Sequence, residues 1–488
     1  MSTPLTHAAE TPATGDLLRW PILGAILRWP HLRTAAQCGL ALVALVMVLH
    51  GLFGPEIAPS NLATVLTWVH YRGLLIGVLL LAGNVFCAAC PLVLARDLTR
   101  RLHQPTRHWP RRLTGKWLAI GLMALVLFSY ELFDLWALPA ATAWLIVGYF
   151  GAAVLVDGVF RGAAFCSHVC PVGQFNFVAA TLSPLEIRAR DRDRCASCVT
   201  ADCIKGRREA GTPGRVTRRG CELGLFVPAK EGNLDCTFCL DCVNACPHDN
   251  VALGLRVPGG ELSDDRRRSV IGRLSARPDL AALVLVFTFG ALLNAFAMVG
   301  PAHVVQDWLG RQAPGAPHAV LLAAIFVVGL VVLPGALSAL AAMATRFATG
   351  DRHRSVGRVV TAFAYGLVPL GCGIWLAHYG FHLLTGIGTI VPVAQGAVID
   401  ASGMALLGAP DWRWLGVRPG LVYPLQLGAI ALGTAGAVVS MHGIAVRDYP
   451  ARSVRAGTSW ILLVAALAAC AAWVLAQPMD MRGTGWSG

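Results

Sequence analysis

The sequence predicts a polytopic α-helical membrane protein with a water-soluble domain inserted between two groups of spans. Hydrophobic residues make up 56% of the 488 residues, charged residues make up 14%, and the mean hydropathy is +0.60. A soluble domain carries about 25% charged residues, so the composition indicates an integral membrane protein. The second observation is a series of closely spaced cysteines in the one long segment, 184–278, that lacks apolar windows.

The apolar segments predict how the chain divides into domains. A spanning helix needs about 20 mainly apolar residues, and nine segments meet this requirement. We expect an N-terminal segment over 1–33, a four-span membrane domain over 34–183 and a five-span membrane domain over 279–488, on either side of the soluble domain. The predicted spans are 34–53, 72–94, 116–137, 142–164, 279–300, 318–344, 358–384, 420–445 and 458–477.

Positive charge in the short loops predicts the orientation. Arginine and lysine are abundant over 96–116, 346–358 and 447–455, whereas the loops at the opposite ends of the spans are nearly bare. Since cytoplasmic loops carry the excess of these residues, we expect a bacterial inner-membrane protein with its amino terminus and soluble domain in the cytoplasm and its carboxyl terminus outside. The net charge of +13 lies between apolar segments, so the lipid bilayer is the expected partner and nucleic acid is not.

The soluble domain carries a cysteine pattern typical of bacterial ferredoxins. Cys236, Cys239, Cys242 and Cys246 form a C-x2-C-x2-C-x3-C-P run, in which the fourth cysteine ligates the other cluster of a two-cluster module. Zinc also binds sets of four cysteines, but this spacing favours two [4Fe–4S] clusters. The crossed assignment gives two sets. One is Cys195, Cys198, Cys203 and Cys246, and the other is Cys221, Cys236, Cys239 and Cys242.

Two further cysteine pairs, each closing on a Cys-Pro dipeptide, lie at the ends of the second and fourth spans. They are Cys87 and Cys90, and Cys166 and Cys170. Because both spans run from outside to inside, the four thiols are expected to converge beneath the soluble domain. Three interpretations remain open: redox-active thiols, since C-x2-C pairs often have lowered thiol pKa values; ligands of a third metal site; or small residues that allow close helix packing.

Three histidines are candidates for cofactor binding toward the outer side. His378 and His382 share one face of the seventh span, and His70 lies at the start of the second. Histidines at one depth can ligate a haem iron or bind a quinone and relay its protons. Interfacial packing of the helix ends is the alternative to both.

The combination of Cys-Pro hairpins and a following two-cluster module resembles the NapH/NosR/CcoG group of membrane-bound polyferredoxins, over roughly residues 34–258. The resemblance implies Cys-x3-Cys-Pro motifs at the cytoplasmic ends of spans and paired [4Fe–4S] sites. Cys166 and Cys170 match the x3 form, whereas Cys87 and Cys90 have two residues between them. The five spans after residue 278 lie outside the shared part and are similar to FesM-like membrane ferredoxins.

A second departure from the group's pattern is that Cys221 is followed by Glu222 instead of proline. No phosphate-binding glycine loop or G-x-G-x-x-G motif is evident, so nicotinamide, flavin and ATP chemistry are not expected. The sequence predicts an electron carrier between a soluble ferredoxin, a flavodoxin or a membrane redox complex and the quinone pool or another respiratory or photosynthetic complex. The carrier could form part of a quinone/quinol oxidoreductase. A copper or iron reductase, or a metalloenzyme maturation factor that uses the Cys-Pro thiols, is the alternative.

Overall fold

The structure is a computed structural model that describes residues 15–208 and 216–479. Parts of the predicted domains, at 1–14, 209–215 and 480–488, lie outside these residues. In the described ranges, eight helices are long and apolar enough to cross a membrane, and Trp117–Leu132 is apolar but shorter. In chain order they are α1 Leu32–Phe53, α2 Leu62–Ala82, α3 Trp117–Leu132, α4 Pro139–Val159, α5 Pro278–Phe296, α6 His318–Thr349, α7 Val356–Ser402, α8 Pro419–Asp448 and α9 Pro450–Leu475.

Each predicted span overlaps one of these helices, but α2 departs from its predicted bounds of 72–94. It begins earlier because Asn61 caps it, accepting a hydrogen bond from the Ala63 amide at 2.9 Å. Arg72, the first residue of the predicted span, is instead buried inside the helix. Its guanidinium donates to the Trp68 carbonyl and lies over the Trp68 and Tyr379 rings. Hydropathy predicts an arginine at the end of a span, but the aromatic faces and the carbonyl stabilise the Arg72 cation inside the helix.

α2 also ends earlier than predicted, at Ala82. The break falls at Gly83, whose φ of +77° lies in the left-handed region that suits glycine. A Cβ at this position would lie 2.5 Å from the Phe238 ring of the soluble domain. Cys87 therefore lies in a separate short helix, Val85–Ala88, beyond the spanning helix.

The second membrane domain is built around α7, which continues to Ser402, past the predicted end of the seventh span at 384. α7 packs most extensively on α8, and α8 packs on α9. Gly373 and Gly433 allow this approach, because a Cβ on Gly433 would lie 3.1 Å from the Gly373 Cα. α2 packs on α7 and so joins the two membrane domains.

The soluble domain has its own small core. The antiparallel strands β1 (Leu185–Ala189) and β4 (Val251–Leu255) bring its two ends together, and β2 (Arg207–Arg208) pairs with β3 (Val216–Arg218). Side chains of β1, β4 and the cysteine loops form the core. The domain's short helices are Arg192–Ala196, Asp202–Lys205 and Asp241–Ala245.

Two helices follow the Cys-Pro motifs and begin at their prolines, Pro91–Leu102 and Pro171–Ala179. Proline suits the first helical position because its missing N–H has no partner there. Most residues of the second helix are buried. It packs against α2, α3 and α5, beneath the soluble domain.

Candidate iron–sulfur sites

The first cysteine set is gathered around the loop between Asp235 and Cys242. Asp235, Phe238 and Leu240 have φ values of 59°, 55° and 60°, so the backbone reverses repeatedly between the cysteines. Burial raises the pKa of the Cys242 thiol, and the nearby charges of Cys239, Cys236 and Cys221 raise it further. The structure therefore brings together the four cysteines that the sequence assigned to one set.

The second set is brought together in the same way and is more open. Burial raises the pKa of Cys203, and the charges of Cys195, Cys246 and Cys198 add to this rise. All four of these cysteines are partly exposed, whereas Cys236 and Cys242 of the first set are buried. The pKa of Cys198 is lowered, chiefly because the Ala201 amide donates to its sulfur.

Direct hydrogen bonds connect the second set to its surroundings and to the first set. Asn250 donates from its side-chain Nδ2 to the Cys195 Sγ at 3.2 Å and from its backbone amide to the Cys246 Sγ at 3.3 Å. The Cys221 amide donates to the Cys203 carbonyl at 2.8 Å. The two sets are thus adjacent, as a two-cluster module requires.

The four Cys-Pro cysteines also converge, as expected from their positions on two parallel spans. Burial raises the pKa of Cys170, and the charges of Cys90 and Cys87 raise it further. Burial likewise raises the pKa of Cys166, with contributions from Cys170 and Cys90. A buried thiol with a raised pKa is a weak nucleophile, so these surroundings disfavour redox-active thiols and leave a metal site and close helix packing as the remaining interpretations.

Amide groups surround the Cys-Pro thiols. Asn176 donates from Nδ2 to the Cys87 Sγ at 3.3 Å, and the Gly173 amide donates to the Cys170 Sγ at 3.2 Å. The first of these contacts comes from the buried helix Pro171–Ala179, so one hairpin supplies a donor to the thiol of the other. Hydrogen bonds to sulfur of this kind tune iron–sulfur sites.

The first set lies directly above the Cys-Pro thiols. Asn84, three residues before Cys87, donates to the Cys236 carbonyl at 3.2 Å. Lys116 pairs with Asp235 at 2.9 Å, and its Nζ also lies 3.4 Å from the Ser167 carbonyl between Cys166 and Cys170. Both Cys-Pro motifs are therefore joined to the loop of the first set.

The donor chemistry of all three sets fits [4Fe–4S] clusters. Each set offers four cysteine sulfurs, the ligand complement of such a cluster. No three His, Cys, Asp or Glu side chains within residues 15–208 and 216–479 are arranged around a single metal ion. Cysteines that do not surround a single ion are compatible with a four-iron cube, because each cysteine thiolate ligates a different iron atom of the cube.

The three candidate histidines are buried, His378 and His382 on α7 and His70 on α2, which packs on α7. His378 and His382 are 0% and 1% exposed, and their rings lie 5.1 Å apart at an interplanar angle of 90°. His70 lies on α2, with its Nδ1 3.1 Å from the Val65 carbonyl and its Nε2 3.3 Å from the Ile387 carbonyl of α7. Both His70 nitrogens face main-chain oxygens, which disfavours that residue as a haem ligand.

Sequence reasoning missed several residues that contact the sulfurs or their loops. Asn250 and Asn176 gave no signal beyond their short distance in sequence from a Cys-Pro dipeptide. Arg96 appeared only as a contributor to loop charge, and Arg33 only as the last residue of the N-terminal segment. In the structure both arginines contact Glu222, the residue that departs from the family pattern.

The first half of the chain matches a known protein family. A family described as a 4Fe-4S binding domain matches residues 64–116 and 142–181, the two hairpins that carry the Cys-Pro motifs. Among curated proteins, the methylamine utilization ferredoxin-type protein MauN of Paracoccus denitrificans is 29% identical over 30% of this chain and 53% of its own length. The ferredoxin-type protein NapH of Haemophilus influenzae is 24% identical over 39% of this chain and 69% of its own length.

The regulatory protein NosR of Pseudomonas aeruginosa is 28% identical over 42% of this chain and 29% of its own length. The chain thus spans about half the length of MauN and less than a third of NosR. No solved structure matches it.

The match to a 4Fe-4S binding domain lies on membrane-capable helices, and the class that this defines is that of ferredoxin-type membrane proteins. The chain is thus similar to the NapH/NosR-type polyferredoxins, which confirms the resemblance drawn from its cysteine motifs.

Proposed function

We propose that the protein is a one-electron carrier of the bacterial inner membrane with three [4Fe–4S] sites in series. The observation that carries the proposal is the adjacency of three sets of four cysteines. The partly exposed second set adjoins the first set through the Cys221–Cys203 hydrogen bond, and Asn84 and Lys116 join the first set to the Cys-Pro motifs. The clusters supply one-electron exchange when bound. The protein's own part is to hold them close together, exclude water from the inner two and leave the outer one accessible.

The open end of this series fits a small acidic redox protein such as a ferredoxin or flavodoxin. Val199, beside Cys198, is 91% exposed, and Arg192 and Arg194 are exposed on the helix that carries Cys195. Charge complementarity between partners steers encounter and raises the association rate. On this proposal the soluble domain faces the cytoplasm, where such carriers are found.

A salt-dependent kinetic experiment tests this proposal. The protein in lipid nanodiscs is mixed with reduced flavodoxin in a stopped-flow instrument, and cluster bleaching is followed as salt rises. We expect the bimolecular rate to fall with salt and to fall about tenfold in Arg192→Glu/Arg194→Glu, as for electrostatically steered association. The matched control is Arg352→Glu/Arg358→Glu, which reverses two exposed arginines of another basic loop. Equal rates in the two variants would contradict the docking face.

The far end of the path is proposed to be the quinone pool, with His378 and His382 as the residues nearest the acceptor. Both are buried beside Tyr379, whose ring packs on Arg72 of α2. His382→Ala is expected to abolish quinone reduction while leaving the reduction of the clusters by flavodoxin unchanged. Quinone turnover at the wild-type rate would contradict this part.

A further inference from the structure

Glu222 lies at the centre of an ion-pair network between the soluble domain and the membrane domain. Its Oε2 receives a hydrogen bond from Arg96 at 2.6 Å and lies 3.5 Å from Arg33. Arg219 approaches the other carboxylate oxygen at 3.5 Å. The Arg96 side chain is 1% exposed, so its pair with Glu222 is shielded from solvent.

Arg96, which is buried, and Arg33, which is half-buried, come from elements next to the Cys-Pro motifs. Arg96 lies on the helix Pro91–Leu102, which begins directly after Cys90. Arg33 lies in the first turn of α1 and also pairs with Asp241, between Cys239 and Cys242. Acidic residues adjoining two different cysteines of the first set are therefore neutralised by cations of the membrane domain.

This arrangement couples position to charge. The Glu222 carboxylate faces the guanidinium groups of Arg96, Arg33 and Arg219, so its negative charge is compensated where it lies. Removing one member of a buried pair leaves the other charge without compensation, and this is strongly destabilising. The soluble domain cannot move away from the Cys90 helix without exposing or separating these charges.

We propose that Glu222 is a positioning residue that locks the Cys221 side of the first set onto the Cys90 helix and tunes the potential of a cluster held there. The locking function follows from the ion pairs alone, and only the tuning rests on the proposed function.

The locking function is tested on the full-length protein in detergent, before cluster reconstitution. The variant Glu222→Gln is treated with a maleimide, and labelled cysteines are mapped by mass spectrometry. We expect labelling of Cys90 and Cys239 to accelerate about tenfold, as for a local opening of a packed interface, and Glu222→Asp to restore protection. The control Glu231→Gln removes a carboxylate that pairs with Arg192 and Arg266 of the soluble domain itself. Unchanged labelling in Glu222→Gln would overturn the lock.

The tuning function is tested by redox titration of the reconstituted variants. Removing the negative charge in Glu222→Gln is expected to raise the potential of the first-set cluster, and removing the positive charge in Arg96→Gln to lower it. A purely structural role would move both potentials in the same direction, and that result would overturn the tuning. If no cluster forms in the parent protein, the proposed function fails while the labelling result still decides the lock.

Discussion

Asn250 offers a quantitative test of the second cysteine set. Its side chain is 3% exposed, and Nδ2 donates to the Cys195 Sγ at 3.2 Å and to the Asp191 carbonyl at 2.6 Å. Its Oδ1 accepts a hydrogen bond from the Asp191 amide at 3.1 Å. The substitution Asn250→Leu keeps a similar volume but removes the side-chain donors and the acceptor.

The expected shift follows from the lost hydrogen bond to sulfur. A hydrogen bond to a charged group contributes about 1.5–3 kcal/mol, and it strengthens when the site gains negative charge. If about 1 kcal/mol differs between the oxidised and reduced states, the potential falls by about 40 mV, because 59 mV corresponds to a tenfold change for one electron. We therefore expect the potential of the second-set cluster to fall by about 40 mV.

Redox titration monitored by EPR measures this shift on the full-length protein. The matched control is Asn176→Leu, which removes the donor to the Cys87 Sγ at 3.3 Å and not the donor to Cys195. The control is expected to leave the potentials of the soluble domain unchanged. A rise in potential in Asn250→Leu, or an equal fall in the control, would refute the assignment of Asn250 to a ligated sulfur.

Three further predictions concern assembly and stability. Cys246→Ser is expected to abolish the EPR signal of the second-set cluster but not the other, and loss of the first-set signal would reverse the crossed assignment. Glu261→Gln disrupts a buried pair with Arg256, 3.0 Å long, and should reduce the unfolding free energy by about 3 kcal/mol in a urea titration; no change would show that the pair is dispensable. Although slight burial opposes it, hydrogen bonds from the Arg354 amide and the Tyr449 hydroxyl lower the pKa of Asp351. Its contribution to stability should therefore be present above about pH 4 and lost as pH falls through the lower folded-state pKa. Thermal melts of Asp351→Asn should lack this pH dependence. A variant that kept the pH dependence of the parent protein would contradict the argument.

Local pattern was sufficient to predict the apolar segments and to locate the cysteine motifs. Every predicted span overlaps an apolar helix, because hydropathy over a span-length window reflects burial in lipid and is independent of tertiary partners. The convergence of Cys87 and Cys170 followed from two parallel spans that end in similar motifs. Each of these predictions needs information from only one segment at a time.

The features that sequence analysis missed depend on contacts between distant segments. The early end of α2 at Gly83 reflects the approach of Phe238, more than 150 residues away in the chain. Arg72 is buried in α2 because aromatic rings from other helices surround it. The role of Glu222 required knowing that Arg96 lies beside it, which loop charge alone does not indicate.

Iron and acid-labile sulfide counted on the anaerobically purified full-length protein test the central claim most directly. Three four-thiol sites predict about twelve iron atoms per chain, falling to about eight when Cys87, Cys90, Cys166 and Cys170 are replaced by Ala. About eight iron atoms in both proteins would contradict the third site. A colourless parent protein without labile sulfide would contradict the whole account.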